Sequence, residues 1–185
     1  MVSLMALWLP IVLAAIFVFI ASSLMHMVLP YHRSDYKKLP EEDKVLTAMR
    51  GAGLQRGLYI FPYCTHKDMN SPEIAEKRKQ GPVGMLTVFP SGPVAMPKFL
   101  TMWFVYCLVI GLFVAYLTGH TLPAGKPYLA VFRVAGTAAF LGYGLGHLSS
   151  GIWKGQPWDV TIKEVIDGLI YGLLTAGTFG WLWPH

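Results

Sequence analysis

The sequence predicts an all-α integral membrane protein with four transmembrane helices and a small mixed α/β cytoplasmic cap between helices 1 and 2. Hydrophobic residues make up 54% of the 185 residues, whereas charged residues make up only 14%. Four apolar stretches are long enough to cross a hydrocarbon core of about 30 Å, which takes roughly 20 helical residues. Most charged residues lie between the first two stretches. This distribution is typical of a membrane protein rather than of a soluble domain.

The four predicted spans are residues 4–28, 99–119, 128–148 and 160–183. No basic residue precedes the first span, and its apolar run is longer than that of a secretory signal, so we expect it to be retained. The second span is free of charge. The third contains Arg133, and the fourth opens with Lys163, Glu164 and Asp167. We assign residues 1–30 to helix 1, 31–97 to the cytoplasmic cap and 98–185 to helices 2–4.

The basic residues predict the orientation. Of the 15 Lys and Arg residues, 11 lie between Arg33 and Lys98, whereas the connection after the second span contains only Lys126. Positively charged loops stay on the cytoplasmic side, so we expect the long loop inside and both termini outside. Anionic lipid headgroups explain this basic excess better than nucleic acid does. Membrane lipids are therefore expected partners, and nucleic acid is not.

The predicted cap contains signals of ordered structure. Ser71 is a good N-cap residue and Pro72 suits the first helical position, which predicts a helix over residues 72–80. Two segments rich in β-forming residues and bounded by Gly and Pro predict short strands, at residues 57–63 and 83–89. Alternatively, both lie extended along the headgroup layer. About 60 residues bury little surface alone, so we expect the cap to rest on the membrane part or on another subunit.

Small residues follow one face of the fourth span. Gly168, Gly172, Ala176 and Gly180 recur every four residues, a spacing that places them on one side of a helix. Small residues let membrane helices approach closely. The third span has its own small face, and we expect the two spans to form a tight antiparallel pair. The residues predicted to pack these helices are Gly142, Gly146, Gly168, Gly172, Ala176 and Gly180.

A polar row runs beside the small face and supplies the candidate functional residues. Asp167, Tyr171 and Thr175 are also spaced by four. An acid inside a span is costly and is a functional candidate by default. One interpretation is an interfacial acid near the positive end of a helix; the other is an ionisable site with Tyr171, Thr175 or His147. Arg133 either extends to the interface or makes a contact between helices or subunits.

The start of the fourth span resembles a capping box. Thr161 and Glu164 have the required spacing, which predicts that Glu164 is engaged at the helix start. We expect the neighbouring Lys163 to reach the lipid headgroups. Asp167 is then the one acid of this helix without an assigned partner.

Two groups combine residue types that bind metals. The first group is Cys64, His66 and Asp68, and the second is Met25, His26, Met27 and His32. A structural zinc site needs four ligands, and the first group has no second pair. Consecutive residues on a helix point in different directions, so the second group does not converge easily on one ion. We therefore expect no metal site, no cofactor and no disulfide.

Common catalytic patterns are missing from the chain. The motifs CxxCH, HExxH and GxSxG and the P-loop do not occur. We therefore assign no catalytic residue and do not expect an enzyme, although one acting on lipid stays open.

Residues 161–184, together with residues 29–35 and 71–73, are similar to those of a group of small uncharacterised bacterial four-span membrane proteins. The similarity covers nearly the whole chain. It implies a multi-pass protein of the bacterial inner membrane. The group has no assigned reaction or site, so the resemblance implies no catalytic residue.

The function favoured by the sequence is structural. With no catalytic motif and two helices with small-residue faces, we expect an accessory or assembly subunit that packs against other membrane protein subunits through those faces and the cap. One alternative is a small proton or cation channel or transporter that uses Asp167, Tyr171 and Thr175. Another is a metal- or haem-binding redox membrane protein that uses His26, His32, Cys64 or His66.

Overall fold

The structure is a computed structural model that describes residues 1–185. Helices make up 66% of the chain, and a two-stranded antiparallel sheet is its other regular element. In chain order the elements are α1 (Trp8–Ser23), α2 (Glu42–Gly51), β1 (Gly57–Phe61), α3 (Pro72–Gln80), β2 (Gly84–Val88), α4 (Met96–Thr121), α5 (Tyr128–Tyr143), α6 (Leu148–Trp153) and α7 (Trp158–Trp181).

Three helical segments are long and apolar enough to cross a membrane. They are Leu4–Val28, which is α1 with its flanking turns, Met96–Thr121, which is α4, and Tyr128–Trp153, which contains α5 and α6. The prediction is confirmed in a coarser form: the protein is mostly helical, and three of its helical segments are long and apolar enough to cross a membrane. α7 has 24 residues, enough for about 36 Å of helix, but its first three turns carry four charged residues.

The chain divides into two compact units, Met1–Asp35 with Ala95–His185, and Tyr36–Val94. In the first unit, α1, α4, α5 and α7 form a ring in that order, because α1 contacts α4 and α7, and α5 contacts the same two helices. Neighbouring helices run antiparallel. We call the end of the ring where α1 ends and α7 begins the loop end, and the end that carries both chain termini the terminal end.

The contact between α5 and α7 is very close. A Cβ atom on Gly168 would lie 2.3 Å from the Cα atom of Gly144, and one on Gly136 would lie 2.9 Å from the Cβ atom of Ala176. Added Cβ atoms on the remaining small residues of α7, Gly172 and Gly180, would meet Phe140 at 3.3 Å and Tyr128 at 2.7 Å. The glycines of α7 thus let the two backbones nearly touch.

The face of α5 that meets α7 differs from the predicted one. Gly142 instead faces Ile110 of α4, and a Cβ atom on Gly146 would meet nothing within 4 Å. The face in contact with α7 passes through Gly136 and Gly144, and successive residues of an α-helix are rotated by about 100°. The predicted face is displaced by one residue and therefore borders α4.

The terminal end is densely packed. Leu7, Val114, Val131 and Phe179 come from four different segments and are all fully buried there. The backbone N–H of Val2 also donates a 2.8 Å hydrogen bond to the carbonyl of Gly119, which ties the start of the chain to α4. This half of the ring leaves little room between its helices.

The second unit contains the predicted short elements. α3 covers residues 72–80 as expected, and the Ser71 hydroxyl accepts a hydrogen bond from the backbone N–H of Ile74. The two strands pair antiparallel, with Tyr59 opposite Leu86. Leu58 and Ile60 on the other face of β1 are exposed. Both faces of β1 therefore carry apolar side chains, which is why its sequence does not alternate.

Candidate functional site

The chain reverses direction at the loop end directly after α1. A π-helical turn, Leu24–Val28, ends the helix, and a 3-10 turn, Pro30–His32, follows. Leu29 between them is extended, the conformation favoured before proline. The reversal places the His32 ring on the His26 ring, with centroids 4.1 Å apart and planes within 10°. π-Helical turns occur frequently at functional sites.

Asp167 of α7 meets this pair of histidines. Its side chain is only 4% exposed, and Oδ2 lies 2.9 Å from Nε2 of His32 and 3.8 Å from Nε2 of His26. The short contact with His32 is not aligned as a hydrogen bond, and Oδ1 of Asp167 has no partner. A buried oxygen without a partner is costly. The carboxyl group of Asp167 therefore has capacity to bind a further hydrogen-bond donor.

The other ring nitrogens show how the histidines are held. Nδ1 of His26 lies 3.1 Å from the carbonyl oxygen of Ser22, and Nδ1 of His32 lies 2.6 Å from Oδ2 of Asp35. Both partners accept hydrogen bonds, so Nδ1 is the protonated nitrogen of each ring. Nε2 is then the nitrogen of each ring that lies nearest to Asp167.

Lys163 fixes the turn that carries His32. Lys163 and Asp167 are four residues apart and share one face of α7. Nζ of Lys163 donates to Oδ1 of Asp35 at 2.7 Å, to Oγ of Ser34 at 2.9 Å and to the carbonyl of Tyr31 at 3.0 Å. The expected role of Lys163 at the headgroups is therefore wrong: all three of its donors are engaged within the protein.

The contacts of the turn shift the pKa values of two of its residues. Burial acts to raise the pKa of the Asp35 carboxyl, but hydrogen bonds from Lys163 and His32 outweigh it and hold that pKa below its usual value. Burial and the nearby charge of Asp167 raise the pKa of the Tyr31 hydroxyl. Asp35 is thus held as a carboxylate that accepts hydrogen bonds from both Lys163 and His32.

A second acid of α7 lies close to the first. Oε2 of Glu164 accepts a 2.6 Å hydrogen bond from Gln156 and lies 3.1 Å from Nδ1 of His147. The predicted capping box is wrong, because α7 begins three residues earlier and the Thr161 hydroxyl donates to the carbonyl of Pro157. Glu164 does not cap the helix and instead pairs with His147, one of the predicted functional residues.

A cavity of about 820 Å³ opens among α1, α4, α5 and α7 at the loop end. Its lining residues are Ser22, Ser23, His26, Met27, Met96, Phe99, Leu100, Met102, Trp103, Tyr106, Tyr143, His147, Glu164, Asp167 and Tyr171. Apart from a few polar groups on α1, α5 and α7, the wall is apolar and aromatic. Volume and lining are both typical of a site for a small molecule.

The aromatic wall is continuous. Trp103 lies 6.0 Å from Tyr171 and 5.4 Å from Tyr106, measured between ring centroids, and Tyr143 lies 5.7 Å from Tyr171. The indole N–H of Trp103 donates to the Ser22 hydroxyl at 2.8 Å, which holds the ring in place. The Tyr171 hydroxyl is buried without a partner, as is Oδ1 of Asp167 one turn away.

The histidine pair resembles a metal site in composition but not in orientation. One ligand atom from each of His26, His32 and Asp167 lies within 4.8 Å of the others. A metal ion binds an imidazole close to the plane of the ring, along the nitrogen lone pair. Because the two rings are stacked within 10°, one ion cannot lie in both planes. The stacked pair therefore does not suit a single metal ion.

The predicted polar residues do not all meet. Asp167, Tyr171 and His147 line one cavity. Thr175 is buried, and its hydroxyl donates to the carbonyl of Tyr171 within α7. Arg133 is exposed on α5, away from the cavity lining.

Asp35 and Lys163 of the cluster were not among the predicted site residues, and His26 and His32 were considered only as metal or haem ligands. A signal for them was present, since a proline shortly after a span favours a chain reversal and Lys163 lies one turn before Asp167. The sequence analysis instead placed Lys163 at the lipid headgroups.

The buried acid, the histidine pair and the apolar cavity form a single site at the loop end, built entirely from the first unit. No protein-family model matches the chain, and no curated protein or solved structure matches it either.

Proposed function

We propose that this protein is a membrane protein that binds an amphipathic molecule, with the apolar part of the ligand in the cavity and its polar head at Asp167. One observation carries the proposal: a cavity of about 820 Å³ with an apolar and aromatic wall has a buried carboxyl oxygen without a partner at its edge. Apolar pockets with a few convergent polar groups are the usual form of ligand sites.

The unpartnered atoms support a ligand rather than an empty groove. Both Oδ1 of Asp167 and the Tyr171 hydroxyl are buried and lack hydrogen bonds. Such atoms typically cost about 1–3 kcal/mol each, and most buried polar groups in proteins are paired. A ligand head that supplies donors to both atoms removes this cost. The apolar lining then contacts the hydrocarbon part of the same molecule.

The mouth of the cavity also suits a lipophilic ligand. Met27, Met96, Phe99 and Met102 line the cavity and are each more than half exposed. Methionine side chains are flexible and adapt to ligands of different shape. A ligand dissolved in the membrane would reach the site across this apolar rim.

Packing at the terminal end favours binding over conduction. A conduction path needs polar groups or water along the whole ring, but Thr175 and Thr178 both donate to carbonyl groups of their own helix. Beyond them Phe179 is fully buried. The polar groups are thus concentrated at one end. This arrangement supports a binding site confined to that end more than a proton or cation channel.

The proposed setting is the bacterial inner membrane, with α7 as a fourth span and both termini outside. The length of α7 supports the fourth span, and its buried face explains how it carries Asp167, because that side chain faces other helices. In this setting the site lies near the cytoplasmic surface, among membrane lipids. An assembly role in a larger complex stays a prediction, to which the site adds no support.

Native mass spectrometry of the purified protein tests the proposal. We expect the wild type to retain an equimolar amphipathic molecule that survives mild detergent. Ser23→Phe places a large side chain in the cavity wall and should abolish this retention. Ser149→Phe is the matched control, because Ser149 is exposed and does not line the cavity.

Two results would count against the proposal. One is a wild-type protein that carries no amphipathic molecule and takes up none on exposure to a lipid extract. The other is equal retention by the wild type and Ser23→Phe, which would place the bound molecule elsewhere.

A further inference from the structure

We infer that the polar head bound at Asp167 is a primary ammonium group, so that the site takes an amphipathic amine. This inference rests on the proposed binding function and specifies its ligand. It follows from three features of the cavity: the charges on its wall, the aromatic side chains beside the acid, and the two buried atoms without partners.

The charges on the cavity wall are negative. Asp167 and Glu164 both line the cavity, whereas no Lys or Arg does. The lining also contains His26, which lies 3.8 Å from Asp167, and His147, which lies 3.1 Å from Glu164. A ligand with a carboxylate or phosphate as its only charge would meet two acids at close range. A cationic head is attracted by the same two acids.

The nearest lysine is not available to neutralise Asp167. Lys163 lies one turn before Asp167, but its three donors are bound to Asp35, Ser34 and the carbonyl of Tyr31. The histidine pair compensates Asp167 only through Oδ2, and Oδ1 stays free. The carboxyl group thus keeps one oxygen for a ligand cation.

The aromatic wall adds to this selectivity. Trp103, Tyr106, Tyr143 and Tyr171 line the cavity next to the acid, with neighbouring ring centroids 5.4–6.4 Å apart. The face of an aromatic ring attracts a cation, and tryptophan is the strongest of the three rings. Aromatic rings beside a carboxylate are the chemistry that recognises ammonium groups.

The unpartnered atoms distinguish a primary from a quaternary ammonium. Oδ1 of Asp167 accepts hydrogen bonds, and the Tyr171 hydroxyl also has lone pairs to offer. A primary ammonium has three N–H donors, which are enough for a charge-assisted bond to each of these atoms. A quaternary ammonium has none and would leave both oxygens unpaired. The free oxygens thus favour the primary amine.

Titration with four matched amphiphiles tests the inference. The full-length protein in phosphatidylcholine nanodiscs is titrated near neutral pH with dodecylamine, dodecyltrimethylammonium, dodecanol and dodecanoate, and empty nanodiscs correct for partitioning. We expect dodecylamine to bind roughly tenfold more tightly than dodecanol, and dodecanoate to bind most weakly. Dodecyltrimethylammonium should lie between dodecylamine and dodecanol.

Variants locate the preference. Asp167→Asn should reduce the preference for dodecylamine over dodecanol to within about threefold while dodecanol still binds. Tyr171→Phe removes one of the two acceptors and should reduce the preference less, which keeps the test usable if Asp167→Asn misfolds. Asp159→Asn is the matched control, because Asp159 is an exposed acid of α7 outside the cavity. It should leave the preference unchanged.

The outcomes separate the two proposals. If all four compounds bind equally, the ammonium inference is wrong and the proposed binding function stands. If none binds, the binding function itself fails. Equal affinity for dodecyltrimethylammonium and dodecylamine would overturn the assignment of a primary amine, as would an unchanged preference in both Asp167→Asn and Tyr171→Phe.

Two sources of a primary ammonium are distinguished by the nanodisc lipid. If the head belongs to a membrane lipid, replacing part of the phosphatidylcholine with phosphatidylethanolamine should weaken dodecylamine binding by competition. If the site takes a free amine, the lipid exchange should leave the affinity unchanged. Both results support the ammonium assignment, whereas stronger binding of dodecanoate than of dodecylamine in either lipid would contradict it.

Discussion

The two ends of the helical ring use the same four helices for different purposes. At the terminal end, residues such as Leu7, Val131 and Phe179 fill the interior completely. At the loop end the same helices line a cavity of about 820 Å³, and buried Asp167 lies beside two histidines there. The ionisable cluster and the cavity thus lie together at the loop end.

This difference shows how a buried acid is accommodated. Asp167 lies beside Gly168, whose contact with Gly144 holds α7 against α5, so the backbone position of the acid is set by packing. Its side chain is held by His32, which in turn depends on Asp35 and Lys163. Dense packing on one side of α7 therefore supports a polar site on the other.

The largest contrast is expected between two phenylalanines. Phe179→Ala removes a fully buried ring at the terminal end and should lower the free energy of unfolding by about 3 kcal/mol or more, because a cavity remains. Phe99→Ala alters the rim of the loop-end cavity, where Phe99 is 52% exposed, and should cost under about 1 kcal/mol. Unfolding in mixed micelles measures both. Similar losses would mean that the two ends are equally packed.

Glycine contacts give a second matched pair. Gly168→Ala places a methyl group 2.3 Å from a backbone atom, so α5 and α7 must separate, at a cost of about 2 kcal/mol. Gly177→Ala meets only the Tyr128 hydroxyl, at 3.6 Å, and should be tolerated within about 0.5 kcal/mol. Gly168→Ala should also weaken ligand binding, because Asp167 moves with its neighbour. Thermal unfolding and ligand titration of both variants check these expectations.

The helices were predictable because they depend on local patterns. Apolar runs of about 20 residues locate the helices long enough to cross a membrane, and Ser71 with Pro72 predicts where α3 begins. The small-residue face of α7 follows from a spacing of four. The face of α5 that receives it was misplaced by one residue, because spacing indicates that small residues share a face but not which neighbour they meet.

The site was predictable only in part. Asp167 stands out in the sequence as an acid within an apolar helix. Its partners His26 and His32 come from a different span and a turn, more than 130 residues away in the chain. Their approach depends on the reversal at Pro30 and on how α1 packs against α7. No local pattern encodes such a contact, so Asp167 could be predicted but its surroundings could not.

Acid should weaken the loop end through Asp35. Its pKa is lowered in the folded protein, so its contribution is present at neutral pH and is lost as the pH falls below about 4, through the folded value. Asp35→Asn should cost about 1 kcal/mol near pH 7, and the difference from the wild type should shrink steadily as the pH is lowered below about 4. Thermal unfolding over a series of pH values, with exposed Asp159→Asn as the control, measures it. A constant difference would exclude titration of Asp35 as the cause.

The smallest effect is expected at Thr175, which tests most directly whether the two ends of the ring are separate. Its hydroxyl donates to the carbonyl of Tyr171, a bond within α7 that a conduction path cannot use at the same time. Thr175→Val keeps the shape of the side chain and should change the free energy of unfolding by under about 0.5 kcal/mol. Amphiphile binding should be unchanged, and proteoliposomes should show the same proton flux with either residue. If proton flux falls in both Thr175→Val and Asp167→Asn, the two ends of the ring belong to one conduction path. A binding site confined to the loop end would give Thr175 no influence on transport.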